Sequence, residues 1–126
     1  MYTVPYGRGT LDFDLPAGMS GELLTSNEWP PLADPAAAVA EALAHPVGSL
    51  PLEKLARPGD RVCIVFTDAT RASPDALLVP PMLAALERAG VADQDITLLC
   101  GIGMHRPSTR EEKVAKLGQD VVDRYR

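Results

Sequence analysis

Two short segments concentrate the residue types that do acid–base and anion chemistry. T-D-A-T-R-A-S-P, Thr67 to Pro74, follows an apolar run, Arg61 to Phe66; G-I-G-M-H-R-P, Gly101 to Pro107, follows a second, Ile96 to Cys100. The carboxylate of Asp68 can orient or polarise a nearby group. The guanidinium fork of Arg71 suits a planar carboxylate or a phosphate, and Arg106 is expected at the same edge. An imidazole is the side chain suited to acid–base work near neutral pH, which makes His105 the candidate proton carrier. Gly101 and Gly103 either let backbone amides approach an anion or turn the chain sharply before the next helix. The dinucleotide pattern G-x-G-x-x-G fails at its third glycine, where Arg106 stands. Two histidines cannot furnish a closed metal site, and no Ser/His/Asp spacing supports a nucleophile, so no metal ligand is assigned.

These residues need elements to hold them together. The two apolar runs end about thirty residues apart with a helical pattern between them, the size of a βαβ unit. Parallel strands joined by such a crossover put both following loops at one sheet edge, where open α/β sheets bind ligands. The predicted fold is α/β: a Rossmann-like parallel sheet core with flanking helices and an N-terminal β-hairpin-like segment. The nearly unbroken apolar character of both runs predicts a sheet covered on both faces, with Cys63 and Cys100 as buried small hydrophobes.

Around that core, Tyr2 to Tyr6 and Thr10 to Leu15 flank Gly7, Arg8 and Gly9 as a hairpin. Pro16 to Pro35 reads as a long connection. Asp34 and Pro35 supply an N-cap and first-turn proline for a helix ending near Ala44, with His45 at its exit. A short helix over Leu50 to Ala56 precedes a turn at Arg57 to Asp60. Ser73 and Pro74 predict a helix start, while Pro80 and Pro81 either kink that helix or make Pro81 its true first turn. Ser108 and Glu111 match a capping box for a helix to about Leu117, with Lys113 and Lys116 on a solvated face.

At 126 residues the chain is expected to form one domain, residues 1–126, with a substantial core. A net charge of −5 gives no basic footprint for nucleic acid or an anionic membrane, so neither is an expected partner. No secretory leader or long apolar stretch is evident, and a cytoplasmic protein follows as the default. Small-molecule chemistry is favoured by elimination.

The residues of Thr67 to Pro74 and of Gly101 to Glu112, taken jointly, resemble the N-terminal domain of the nickel-pincer-nucleotide lactate racemase family. V-P-Y-G-R-G, Val4 to Gly9, and H-P-V-G-S-L-P-L-E-K-L-A, His45 to Ala56, carry the likeness across most of the chain. One departure is Ala72, where the family usually has a proline after the arginine. The resemblance implies that Asp68, Thr70, Arg71, Gly101, Gly103 and Arg106 face substrate or cofactor and that His105 is one of two catalytic histidines. It also implies hydride exchange between the α-carbon of a small 2-hydroxy acid and a nickel-pincer nucleotide. The cofactor-linked lysine, second catalytic histidine and metal-ligating histidine fall in later segments of such chains, and neither Lys113 nor Lys116 substitutes for them.

The chain is therefore read as the N-terminal α/β domain of a longer 2-hydroxy-acid racemase or epimerase, with the C-terminal remainder as its partner. By itself it is expected to be inactive and to carry no covalent cofactor. Two alternatives stand beside this: a noncatalytic module binding a small anion or nucleotide at the same loops, and a structural interaction domain.

Overall fold

The computed structural model describes residues 1–126, which divide into two compact units, Met1–Pro31 and Leu32–Arg126. In the first, β1 (Tyr2–Tyr6) and β2 (Gly9–Phe13) pair antiparallel, with Tyr6 opposite Gly9 and Tyr2 opposite Phe13. Gly9 is a paired strand residue, so the turn is only Gly7 and Arg8. Gly7 has φ +58° and Arg8 a negative φ, the combination a type II′ hairpin turn needs at its two central positions. Tyr2 stacks on Phe13 across the strands, and its hydroxyl donates to the Gly21 carbonyl at 2.9 Å.

The second unit begins with α1 (Pro35–Ala44), whose N-cap Asp34 accepts from the Ala37 amide at 2.9 Å with Pro35 in the first turn. His45 closes that helix and lies 3.0 Å from Glu41 one turn back. A single turn, α2 (Leu52–Leu55), leads to β3 (Val62–Thr67), which runs parallel to β4 (Ile96–Gly101). Between them lie α3 (Asp75–Arg88) and a short 3₁₀ turn at Asp93–Asp95. After β4 come α4 (Arg110–Leu117) and α5 (Gln119–Arg124). No helix is long and apolar enough to cross a membrane.

The core lies on one side of the parallel pair. Ile64 and Phe66 of β3 and Ile96 of β4 pack against Val79, Leu83 and Leu86 of α3, with Leu117 and Tyr125 closing the cluster. Leu86 and Ile96 are almost wholly enclosed, a burial worth roughly 1.5–3 kcal/mol for each side chain. The predicted two-sided cover is not observed. Val65 remains 64% exposed and Leu99 52%, and Cys63 is exposed beside them, while Cys100 is half-buried. Period-two alternation explains this: Cys63 and Val65 point away from Ile64 and Phe66 and are left exposed. The outer edge of β4 is occupied at Leu98, whose amide donates to the Arg126 carbonyl at 2.7 Å.

Three further expectations are corrected. α3 does not restart at Pro81 but runs unbroken from Asp75 through both prolines. Its first turn is anchored before the prolines arrive, by burial of Val79 and by bonds to the Asp75 carboxylate, which outweigh the two missing amide donors. Pro74, not Ser73, occupies the N-cap position, and the Ser73 hydroxyl donates to Asp75 at 2.8 Å. The capping box of α4 is Thr109 with Glu112, one residue beyond Ser108 and Glu111. Ser108 instead lies 3.5 Å from the Cys100 thiol.

Candidate functional site

The register of the parallel pair sets Thr67 opposite Gly101, so the two strands end level and their loops leave from the same edge. The first loop, 68–74, turns at once on its own carboxylate. Asp68 Oδ1 accepts from the Thr70 hydroxyl at 2.6 Å and the Thr70 amide at 2.9 Å, and the Arg71 amide donates to the Asp68 carbonyl at 3.1 Å. The second loop turns between Ile102 and His105, whose amide donates to the Ile102 carbonyl at 3.0 Å, with Gly103 at φ +57° in between. That turn needs glycine, because a side chain strains a left-handed residue. Gly101 answers a different need: a Cβ there would sit 3.3 Å from Val65 Cγ1 and 3.4 Å from the Phe66 carbonyl. Both glycines are thus accounted for by the path of the chain.

The two loops meet through a direct hydrogen bond between His105 Nδ1 and Asp68 Oδ2. Asp68 is buried, and bonds from the Thr70 hydroxyl and from His105 hold its carboxyl well below the usual carboxylate range. An ionised carboxylate only accepts hydrogen bonds, so the proton between them belongs to Nδ1. The other ring nitrogen, Nε2, is then the one free to accept or return a proton. The His105 side chain is 44% exposed, so the dyad opens outward. A notch of ≈ 70 Å³ at this place is lined by Asp68, Thr70, His105, Arg106, Ser108 and Glu112.

Arg106 reaches the notch with its fork already engaged. Its two terminal nitrogens donate to Glu112 at 2.6 and 3.0 Å, and this pairing raises the guanidinium and draws the Glu112 carboxyl down to about 2. Arg71, by contrast, is exposed and makes no ion pair or side-chain hydrogen bond within the chain, and it does not line the notch. The structure therefore brings Asp68, Thr70, His105 and Arg106 together, with Arg71 one residue beyond. Gly101 and Gly103 shape the loop from behind.

Behind this edge lies a second acidic cluster that sequence reading missed. Asp75 Oδ2 accepts from the Thr67 hydroxyl at 2.5 Å and from Lys116 Nζ at 2.9 Å, while Oδ1 accepts from Ser73. Burial pushes the Asp75 carboxyl up, but the bonds from Thr67, Lys116 and Ser73 outweigh it and hold the group below its ordinary value. Lys116 is only 11% exposed, so its assignment to a solvated face is corrected. The available signal was spacing: Lys116 is one turn from Glu112 and precedes the core residue Leu117 on an eight-residue helix.

A larger cavity, ≈ 390 Å³, lies elsewhere, among Ala40, Leu43, Leu52, Pro81 and Ala84, where Arg88 and Glu53 pair with each other and Lys54 also lines the wall. It offers no acid–base group comparable to His105. No three His, Cys, Asp or Glu side chains converge to hold a metal ion.

The family model for the lactate racemase N-terminal domain matches residues 6–126. A lactate racemase of Lactiplantibacillus plantarum is 41% identical over 85 residues, 68% of this chain and 20% of that protein. A lactate racemase of Thermoanaerobacterium thermosaccharolyticum is 30% identical over 122 residues, 95% of this chain and 28% of that protein. The solved lactate racemase apoprotein of the latter organism superposes with a TM-score of 0.75, over 98% of this chain and 28% of its own length. The chain thus spans about a fifth to just over a quarter of the relatives it matches.

Proposed function

The chain belongs to the lactate racemase N-terminal domain family, and from that premise we propose that it supplies one proton-transfer half of a 2-hydroxy-acid racemase or epimerase. The observation that carries this reading is the Asp68–His105 dyad at the ends of two parallel strands. Asp68 fixes the imidazole with its proton on Nδ1 and stabilises the cation that forms when Nε2 takes up a second proton. His105 then removes the hydroxyl proton of a bound 2-hydroxy acid and returns it to the transient 2-keto acid as that is reduced. Arg71, uncommitted within the chain, offers its fork to the substrate carboxylate.

The chemistry at the α-carbon implied by the resemblance is hydride transfer involving a nickel-pincer nucleotide. The donor set of residues 1–126 does not form a nickel site. That group would be held by other residues of a longer cytoplasmic enzyme. A nucleotide-binding module within these residues is the weaker reading, since ≈ 70 Å³ at the dyad is well below the roughly 300 Å³ at which ligand pockets begin.

Chiral product analysis tests the proposal. The longer protein is expected to interconvert the enantiomers or epimers of a 2-hydroxy acid, and residues 1–126 alone to do neither this nor retain nickel. Robust racemisation with stoichiometric nickel from residues 1–126 alone would overturn the division of labour; a loaded long protein inert towards 2-hydroxy acids would overturn the reaction class.

A further inference from the structure

We infer that Lys116 and Asp75 are positioning residues, which with Glu112 make helix α4, beside the strand register, the rigid member that ties the Asp68 loop to the His105 loop. The inference rests on the proposed proton-transfer role of the dyad and extends it to residues that do not touch the reacting atoms.

Lys116 Nζ has three donors, and three oxygens face it: the Arg71 carbonyl at 3.0 Å, the Ser73 carbonyl at 2.9 Å and Asp75 Oδ2 at 2.9 Å. Two of these belong to the backbone of the loop that begins at Asp68, on either side of Ala72. The third belongs to the first residue of α3, which also receives the Thr67 hydroxyl from the end of β3. An ammonium in this position therefore gathers the strand end, the loop and the helix start at one point. Its low exposure makes these bonds costly to exchange for water.

The same helix face does the corresponding work for the other loop. Glu112, one turn before Lys116, accepts both terminal nitrogens of Arg106 and the Thr109 amide at 2.8 Å. The two anchors are about 6 Å apart along the helix axis, a distance fixed by a rise of about 1.5 Å per residue. Asp68 and His105 lie 37 positions apart in the chain and share no backbone hydrogen bond. Their relative placement is set by the strand register on one side and by α4 on the other. Ala72 makes the clamp more consequential, because a residue with free φ stands between the two carbonyls that Lys116 holds.

The test uses the full-length protein. Lys116→Met alone leaves a buried carboxylate unpaired and can unfold the protein, so the decisive variant is Lys116→Met with Asp75→Asn, in which the amide can still accept from Thr67. Peptide-level hydrogen exchange and steady-state kinetics are measured together. Amides over Asp68 to Ser73 are expected to exchange about tenfold faster while those of β3 and β4 stay protected. The kcat is expected to fall about 100-fold, as a misplacement near 1 Å does, with KM changed much less. Unchanged loop exchange in the folded double variant, or faster exchange with unaltered kcat, would overturn the inference. A parent protein that does not racemise defeats the proposed function instead, and the exchange result then decides the clamp by itself.

Discussion

Asp68 and Asp75 are both buried carboxylates at the C-terminal end of β3, seven residues apart, and their surroundings differ in one decisive way. Asp75 is bonded by partners from its own chain: Thr67, Ser73 and Lys116 occupy both its oxygens, and the cation that neutralises it is itself only 11% exposed. Asp68 is satisfied on one oxygen by Thr70 and on the other by His105, whose ring is open to the surroundings. A carboxylate with both oxygens taken up by its own chain is committed to holding the structure. One that terminates in an exposed imidazole passes its charge to a group that can meet a substrate. Removing the partner should therefore damage mainly the fold in one case and mainly the chemistry in the other.

The largest effect is expected at the open pair. His105→Ala in the full-length protein should lower kcat by about 10²–10⁴-fold, the range for loss of a general acid–base group. Stability should fall by about 1–3 kcal/mol, the cost of leaving buried Asp68 Oδ2 without its partner. Steady-state rates and urea denaturation on the same preparation check both halves. Near-normal racemisation with full cofactor loading would remove His105 from the proton path.

At the closed pair the order reverses. Asp75→Ala leaves the Lys116 ammonium buried without its counter-charge, a change that costs about 3–5 kcal/mol. A urea midpoint shifted by less than the equivalent of about 1 kcal/mol would mean that the cluster opens to water and is not the closed structure described. The contrast also shows what the sequence could and could not convey. Strand ends, their parallel pairing and the meeting of the two loops were legible, because apolar runs and a helix-length interval determine them. The role of Lys116 was not, because an amphipathic pattern over eight residues does not say which polar side chain finds a buried acid. The capping residue was ambiguous for a local reason: Ser108 and Thr109 each precede a glutamate by three positions, and the fork of Arg106 on Glu112 favours the second. The open sheet face was hidden because the residues on it, Cys63, Val65 and Leu99, are as apolar as those in the core.

Arg71 belongs with the open pair although its side chain bonds to neither member. Its guanidinium has no partner within the chain, so Arg71→Ala should leave stability within about 0.5 kcal/mol. Loss of a charge-assisted fork to a carboxylate should weaken substrate binding by roughly 1.5–3 kcal/mol, read as a tenfold or greater rise in KM together with lower kcat/KM. A destabilised variant with unchanged KM would place Arg71 in the structural cluster with Lys116 instead.

Acid provides the mildest way to separate the two carboxylates, since a proton neutralises a side chain without removing it. The Asp75 carboxyl lies below its ordinary value of 3.8 in the fold, through the bonds that outweigh its burial. A group depressed in this way binds more protons in the unfolded chain. Its contribution is therefore complete above the unfolded value and disappears as pH falls through the folded one. The protein should lose stability below about pH 4, and Asp75→Asn should flatten part of that acid limb because its amide does not titrate. The effect should be smaller than that of Asp75→Ala, because the protonated acid still fills its place and keeps an oxygen for Thr67. His105→Ala should leave the Asp75 part of the acid limb intact, because His105 is bonded to the other carboxylate. Urea midpoints between pH 2 and 7 for the parent and both variants are the measurement. Acid limbs of the same slope in Asp75→Asn and the parent would show that Asp75 is not held below its ordinary value by its three partners.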